Sequence, residues 1–297
     1  MTTQRAKRQP ETARSRTAEH ETVRHEMTGP ETTGRERTRP EPARGSAGEE
    51  TPVCYVYGIV PADTRLPEGL TGTGGGEVSL IREGEVAGVV SELLPEGGLG
   101  TREDLLAHEG VVASLAEETT ILPLRFGAVV TTADAVAEEM LVPYHDWFAA
   151  VLTELTGRRQ FSILGAYVED AVLREVLQEE PEVARLREKV RDLPEDAAYY
   201  DRIRLGELIV QALDDKRLAD TEALVAALSP HADDVAAREP AGEDMAADVA
   251  FLVTDEQRPR FEQAVDELGD RWAGRIRLRM LGPLAPYDFV PSHPEEE

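Results

Sequence analysis

Residues 53–60, Val-Cys-Tyr-Val-Tyr-Gly-Ile-Val, form a run of β-branched and aromatic side chains that ends at Pro61. This composition predicts a β-strand. Further along, the segments 78–81 and 86–91 lie on either side of Gly84, which is typical of a β-hairpin with the glycine in its turn. The sequence therefore predicts three strands before the first helix.

A helix is expected after Thr101, a suitable N-cap residue that is followed three positions later by Asp104, the spacing of a capping box. Apolar spacings of three and four residues predict one buried stripe on this helix, made of Leu105, His108, Val112 and Leu115. A ligand or catalytic histidine would need another His, Cys or carboxylate one turn away, and valines occupy residues 111 and 112. We therefore interpret His108 as a structural residue.

Residues 121–127, Ile-Leu-Pro-Leu-Arg-Phe-Gly, are predicted to form a strand at or near a sheet edge, because Pro123 has no amide hydrogen for the ladder. Strand alternation places Leu122, Leu124 and Phe126 on one face and Arg125 on the opposite face. Arg125 is expected to be solvated, but the segment would also suit strand addition by a partner. These four residues are candidate partner-binding residues.

The second half of the chain again mixes strands and helices. After a helix from about residue 133 that Pro143 should kink, we predict strands at 161–168, 249–253 and 275–280. Helices are expected at about 170–191 and 197–228, with interruptions at Pro181 and Pro194, and a short helix should follow a cap at Asp255. Residues 231–244 are predicted to form a polar loop.

The last predicted strand alternates between apolar and basic side chains. Ile276, Leu278 and Met280 are expected to point inward, and the outward row consists of Arg275, Arg277 and Arg279. Neighbours on one strand face lie about 6.6–6.8 Å apart, so the arginines could address a row of carboxylates on a partner. They could equally be charges on an exposed strand that discourage edge pairing. The row is the second candidate partner-binding site.

The element order predicts an α+β fold with two domains. We expect an N-terminal α+β domain at 51–157 and a C-terminal domain at 158–290 that resembles a ferredoxin-like split βαβ sandwich with a helical insertion. Residues 1–50 contain no Leu, Ile, Phe, Tyr or Trp, and we predict a disordered, low-complexity tail there. Residues 291–297 are predicted to form a short acidic tail.

Composition excludes several functional classes. The chain has 32 Lys and Arg against 58 Asp and Glu, a net charge of −26 that disfavours nucleic-acid binding. A single cysteine, Cys54, indicates a reducing compartment, and neither a membrane span nor a secretory signal is expected. The glycine-rich stretch 72–76 lacks the third glycine of the dinucleotide pattern, so we interpret it as a loop. No metal, cofactor or catalytic residue is predicted.

An ordered set of short sequences resembles the GvpF/GvpL family of gas vesicle proteins. The set spans roughly residues 53–290. It consists of Tyr57-Gly58-Ile59, His108-Glu109, Ile121–Gly127, Leu164-Gly165-Ala166-Tyr167, Ala250-Phe251-Leu252-Val253 and the ending Leu281–Val290. The most specific of these are Leu122–Gly127 and Gly282–Phe289.

The resemblance implies an accessory or minor structural protein of gas vesicles that is not an enzyme. Members of this family are thought to help the very hydrophobic shell subunit nucleate or assemble, so the major shell protein and other vesicle accessory proteins are the expected partners. The implied location is the cytoplasm and the gas vesicle. The implied fold is two α+β domains with a ferredoxin-like second domain. A ligand-sensing regulator built on ferredoxin-like domains is the alternative, by analogy of fold alone.

Overall fold

The computed structural model describes residues 52–94, 99–168, 170–194, 197–242 and 244–291. The predicted disordered tail at 1–50 and nearly all of the predicted acidic tail at 291–297 lie outside these residues. The described part is a mixed α+β structure, as expected from the order of elements. It is built on two antiparallel sheets.

The first sheet contains five strands, which are β1 (Val53–Pro61), β2 (Val78–Glu83), β3 (Val86–Leu93), β4 (Leu122–Pro123) and β5 (Val129–Val130). They lie in the order β2-β3-β1-β4, with β5 also pairing with β1. All of these pairs are antiparallel. Gly84 has a φ of 55° in the turn between β2 and β3, which confirms the predicted hairpin.

Helices cover both faces of the first sheet. Helix α1 (Arg102–Glu118) begins with the predicted capping box between Thr101 and Asp104. The predicted helix near residue 133 is divided into α2 (Ala133–Ala135), a π-helical turn (Val136–Leu141) and α3 (His145–Leu155). Pro143 lies in the break before α3, as expected of a residue without an amide hydrogen.

The second sheet has four antiparallel strands, which are β6 (Arg158–Tyr167), β7 (Asp234–Arg238), β8 (Met245–Thr254) and β9 (Ile276–Leu284). Their order in the sheet is β7-β8-β6-β9. Helices α4 (Ala171–Glu179), α5 (Pro181–Arg191) and α6 (Tyr199–Leu228) connect β6 to β7, and α7 (Arg258–Trp272) connects β8 to β9. The ferredoxin-like assignment and the domain boundary near residue 157 stay predictions.

Four details of the sequence-based expectation are wrong. The supposed loop at 231–244 contains β7, whose short, alanine-rich sequence carries little apolar signal. Helix α7 has Gln257 at its N-cap position, and Asp255 instead donates its backbone N–H to the Gly157 carbonyl. Met280 is 36% exposed because β9 lies at a sheet edge, and Leu105 is 44% exposed at the start of α1.

The two sheets share part of their core. One face of the first sheet packs on α3 through Val56, Ile59 and Phe148, and Leu252 of β8 in the second sheet belongs to the same cluster. The other face packs on α1. The second sheet is covered by α6 and α7, with three buried aromatic side chains at the centre, Phe161, Phe251 and Phe261.

Candidate functional site

A groove with a volume of about 870 Å³ lies along the segment 122–128. One wall is this segment, and the second is formed by the π-helical turn and α3 through Met140, Tyr144, Trp147 and Phe148. Tyr287, Val290 and Pro291 close the third side. We call this feature the groove, and most side chains that line it are apolar.

The segment 122–128 forms this wall because it leaves the sheet and then returns to it. Strand β4 ends at Pro123, and the Leu124 N–H still donates to the Tyr57 carbonyl at 2.9 Å. The chain then bulges away from β1, turns at Gly127 with a φ of 96°, and rejoins β1 where the Val56 N–H donates to the Ala128 carbonyl. A continuous strand at 121–127 was therefore a wrong prediction.

This bulge also changes which faces the side chains contact. Leu122 and Leu124 pack with the cluster next to α3, whereas Phe126 packs on the opposite side, near Tyr55 and His108. The expectation that all three residues share one face is wrong, because alternation holds only while the chain stays in the ladder. Arg125 is exposed, as expected.

His108 lies behind the Phe126 side of the groove and is fully buried. Its Nδ1 is 2.9 Å from the Tyr55 hydroxyl, and its Nε2 is 3.2 Å from the Tyr287 hydroxyl. Tyr287 donates its proton to Glu109, so it accepts from Nε2–H, and Nδ1 then accepts from Tyr55. The structural interpretation of His108 therefore fits a neutral imidazole with both nitrogens bonded.

Burial shifts the titration of this network. It lowers the pKa of His108 below its ordinary value, while a hydrogen bond with the Leu124 backbone acts in the opposite direction. Burial, reinforced by the nearby Glu109 carboxylate, raises the pKa of Tyr287. Burial likewise raises the pKa of Tyr55, whose hydroxyl oxygen also accepts from the Gly127 N–H. These hydrogen bonds connect β1, α1, the groove wall and the C-terminal residues, and His108 takes part in them as a neutral imidazole.

The C-terminal segment, which we define as residues 285–290, contacts both sheets. Ala285 and Tyr287 pack on the α1 side of the first sheet, and Phe289 and Val290 pack with the α3 cluster. Asp288 receives hydrogen bonds from Gln160 of β6 and Arg238 of β7. The position of the third groove wall therefore depends on contacts to both sheets.

The predicted row of three arginines is divided by the structure. Arg275 precedes β9 and is paired inside the chain, with Nε 2.8 Å from Glu175 and the two terminal nitrogens 2.7 and 3.0 Å from the Asp220 oxygens. Asp220 also accepts from the Tyr167 hydroxyl, whose pKa is raised by burial and by this carboxylate. Arg277 and Arg279 are exposed on β9.

The groove brings together Leu122, Leu124, Arg125 and Phe126, but not the arginines of β9. The helix wall and the C-terminal wall were not predicted as parts of a site. The available signal was weak: the apolar stripe of Met140, Tyr144 and Phe148 looks like an ordinary core stripe.

In the described part of the chain, no helix has the length and apolar character needed to cross a membrane. Among the same residues, no group of three or more His, Cys, Asp or Glu side chains could hold a metal ion.

The model of the family described as gas vesicle synthesis protein GvpL/GvpF matches residues 53–291. The chain belongs to this family. Gas vesicle protein F of Streptomyces sp. (strain CB03234) is 31% identical over 239 residues, which cover 80% of this chain and 98% of that protein. Gas vesicle protein L of the same strain is 30% identical over 251 residues, covering 80% and 92%.

Solved structures of GvpL/GvpF family members have the same fold. The crystal structure of GvpF from Anabaena sp. PCC7120 matches with a TM-score of 0.68 and 28% identity, covering 82% of this chain and 100% of that one. The structure of GvpF from Microcystis aeruginosa matches with a TM-score of 0.65 and 27% identity, covering 81% and 99%. The resemblance inferred from the sequence is confirmed, and the chain has a role related to gas vesicles.

Proposed function

We propose that this chain is an accessory assembly factor that acts by binding, not by catalysis. In this proposal it holds the major shell subunit in the cytoplasm and at the growing vesicle, together with other accessory proteins. The observation that carries the proposal is the groove, a concave surface lined mostly by apolar side chains and framed by elements from three parts of the chain. The family description, gas vesicle synthesis protein, supports a role while vesicles form.

The chemistry of a gas-filled shell explains why such a groove would be useful. A wall that holds gas needs an apolar inner side, so its free subunit exposes apolar surface and tends to aggregate. Leu124, Met140 and Tyr144 are half-buried in the groove and would bury further apolar area on binding. The net charge of −26 would make such complexes repel one another and so limit their aggregation.

Arg125 would give the bound subunit its orientation. It is the charged member of the described residues that line the groove, and its side chain is exposed. A guanidinium group in this position can hold a carboxylate of the partner through paired hydrogen bonds. Apolar packing would supply most of the affinity, and the arginine would select one direction of the bound segment.

The ligand-sensing alternative is less well supported. A sensor for a polar metabolite would need a pocket lined by several converging polar groups, whereas the groove is lined mainly by apolar side chains.

The test is capture of purified shell subunit by the immobilised chain. Leu124→Glu and Met140→Glu place a charge in the groove from two different elements, and each should weaken capture by at least about tenfold. Arg125→Ala should weaken it by a few-fold, since an exposed ion pair contributes little. Leu218→Glu, an equivalent change at an exposed leucine of α6, is the matched control and should capture normally. Normal capture by both groove variants, with unchanged melting temperatures, would reject the groove.

A further inference from the structure

The outer strand of the second sheet, β9, contains none of the residues that line the groove. Strand β9 is nine residues long and is the last strand in the order β7-β8-β6-β9. It pairs with β6 on one side, and no described strand pairs with its other side. Such an edge presents unpaired backbone N–H and C=O groups that another extended chain can use.

The side chains of this edge carry a local positive charge. Arg277 and Arg279 are exposed, are directed to the same face by strand alternation, and pair with Ala166 and Leu164 of β6 in the register of the sheet. Among the residues that the structure describes, no carboxylate pairs with either guanidinium. By contrast, Arg275, two positions earlier, forms salt bridges with Glu175 and Asp220 of the same chain.

We propose that β9 is a docking edge for an extended acidic segment of another protein, which adds to the sheet as a fifth strand. Residues two apart on the added strand would be spaced like Arg277 and Arg279, about 6.6–6.8 Å, so carboxylates at alternate positions would meet both arginines. The intervening residues would face the side on which Ile276 and Leu278 pack near α7, which suits apolar side chains.

A second copy of this chain does not fit the edge equally well. Pairing two β9 strands in an antiparallel way would bring arginines of the two copies close together, and like charges on neighbouring strands are destabilising. The remainder of the chain is strongly acidic, so a partner segment rich in carboxylates is repelled elsewhere and attracted at this edge. The occupant is therefore an acidic strand from a different protein.

A defined peptide tests this inference independently of the groove. The probe is a fluorescent, end-capped peptide of seven residues that alternates Val and Glu, with valine at both ends. It should bind the full chain and slow amide hydrogen exchange in residues 276–281. Binding should fall by about tenfold in the double variant Arg277→Ala/Arg279→Ala, because two exposed charge pairs are lost. The same peptide with proline at its centre should bind much more weakly, since it cannot complete the ladder.

Two controls separate strand addition from general charge attraction. Arg185→Ala/Arg187→Ala removes the same charge from exposed arginines on α5 and should leave peptide binding unchanged. Capture of shell subunit should be normal in the β9 variant, which separates this edge from the proposed groove. Failure of the peptide to bind, equal loss in both double variants, or binding without protection of β9 would each overturn the inference, and the arginines would then serve to prevent edge pairing.

Discussion

His108 connects three parts of the chain through one buried imidazole. Its two nitrogens bond to Tyr55 of β1 and to Tyr287 of the C-terminal segment, and its ring lies edge-on to Phe126. The titratable groups around it are Tyr55, Tyr57, Tyr287 and, through Tyr287, Glu109. All of these interactions are compatible with a neutral imidazole. If His108 gained a second proton, the positive charge would be buried, and no carboxylate of the described residues would contact the ring directly.

We expect the free energy of unfolding to decrease as the pH falls below about 6.5. The unfolded chain binds a proton at the ordinary pKa of histidine, about 6.5, whereas His108 in the folded chain has a lowered pKa. Between these two values the unfolded state holds more protons, so acid favours unfolding. Urea denaturation at pH 7 and pH 5.5 measures the loss, which should be smaller in His108→Gln. Carboxylates with ordinary pKa values titrate below this window. An equal loss in both proteins would contradict the assignment.

Arg275 and Arg277 provide a matched comparison at the level of secondary-structure elements. Arg275 joins α4, α6 and the start of β9 through Glu175 and Asp220, and its side chain is 28% exposed while that of Asp220 is 10% exposed. Arg275→Ala leaves the Asp220 carboxylate buried without its guanidinium partner, which should cost about 3 kcal/mol of stability. Arg277→Ala should change stability by less than about 0.5 kcal/mol. Thermal and urea unfolding of the two variants measures the difference, and equal effects would show that the Arg275 network is not important for stability.

Secondary-structure elements that are determined by neighbouring residues could be predicted from the sequence, and those determined by distant contacts could not. The hairpin around Gly84 and the capping box at Thr101 were predicted because turn and cap chemistry is local. Strand β7 was missed because its small side chains are defined as a strand only by the neighbouring β8. The bulge after Pro123 was missed because it depends on hydrogen bonds to β1, more than 60 residues earlier in the sequence. For the same reason, only the Leu122–Phe126 wall of the groove could be predicted.

At the scale of the whole molecule, the C-terminal segment holds the two sheets together. Ala285 is buried with the α1 cluster, Phe289 packs with the α3 cluster, and Asp288 is bonded to the second sheet. The sequence Gly282–Phe289 was among the most specific features of the family resemblance, and these contacts give it a structural role. Its contribution to stability can be compared with that of the opposite end of the chain.

Truncation at the C-terminus should lower the stability of the fold, whereas truncation at the N-terminus should not change it. Ending the chain after Leu284 removes the buried Ala285, the packing of Tyr287 and Phe289, and the hydrogen bonds of Asp288, which together should cost at least about 3 kcal/mol and lower the melting temperature by roughly 10 °C. Deleting residues 1–50 should leave the melting temperature unchanged, because that stretch contains no Leu, Ile, Phe, Tyr or Trp to bury. Differential scanning calorimetry of the two truncated chains and the full chain measures both effects. A large loss of stability on deleting residues 1–50 would contradict the predicted disorder of that region, and an unchanged melting temperature after the C-terminal truncation would show that the two sheets hold together without the segment.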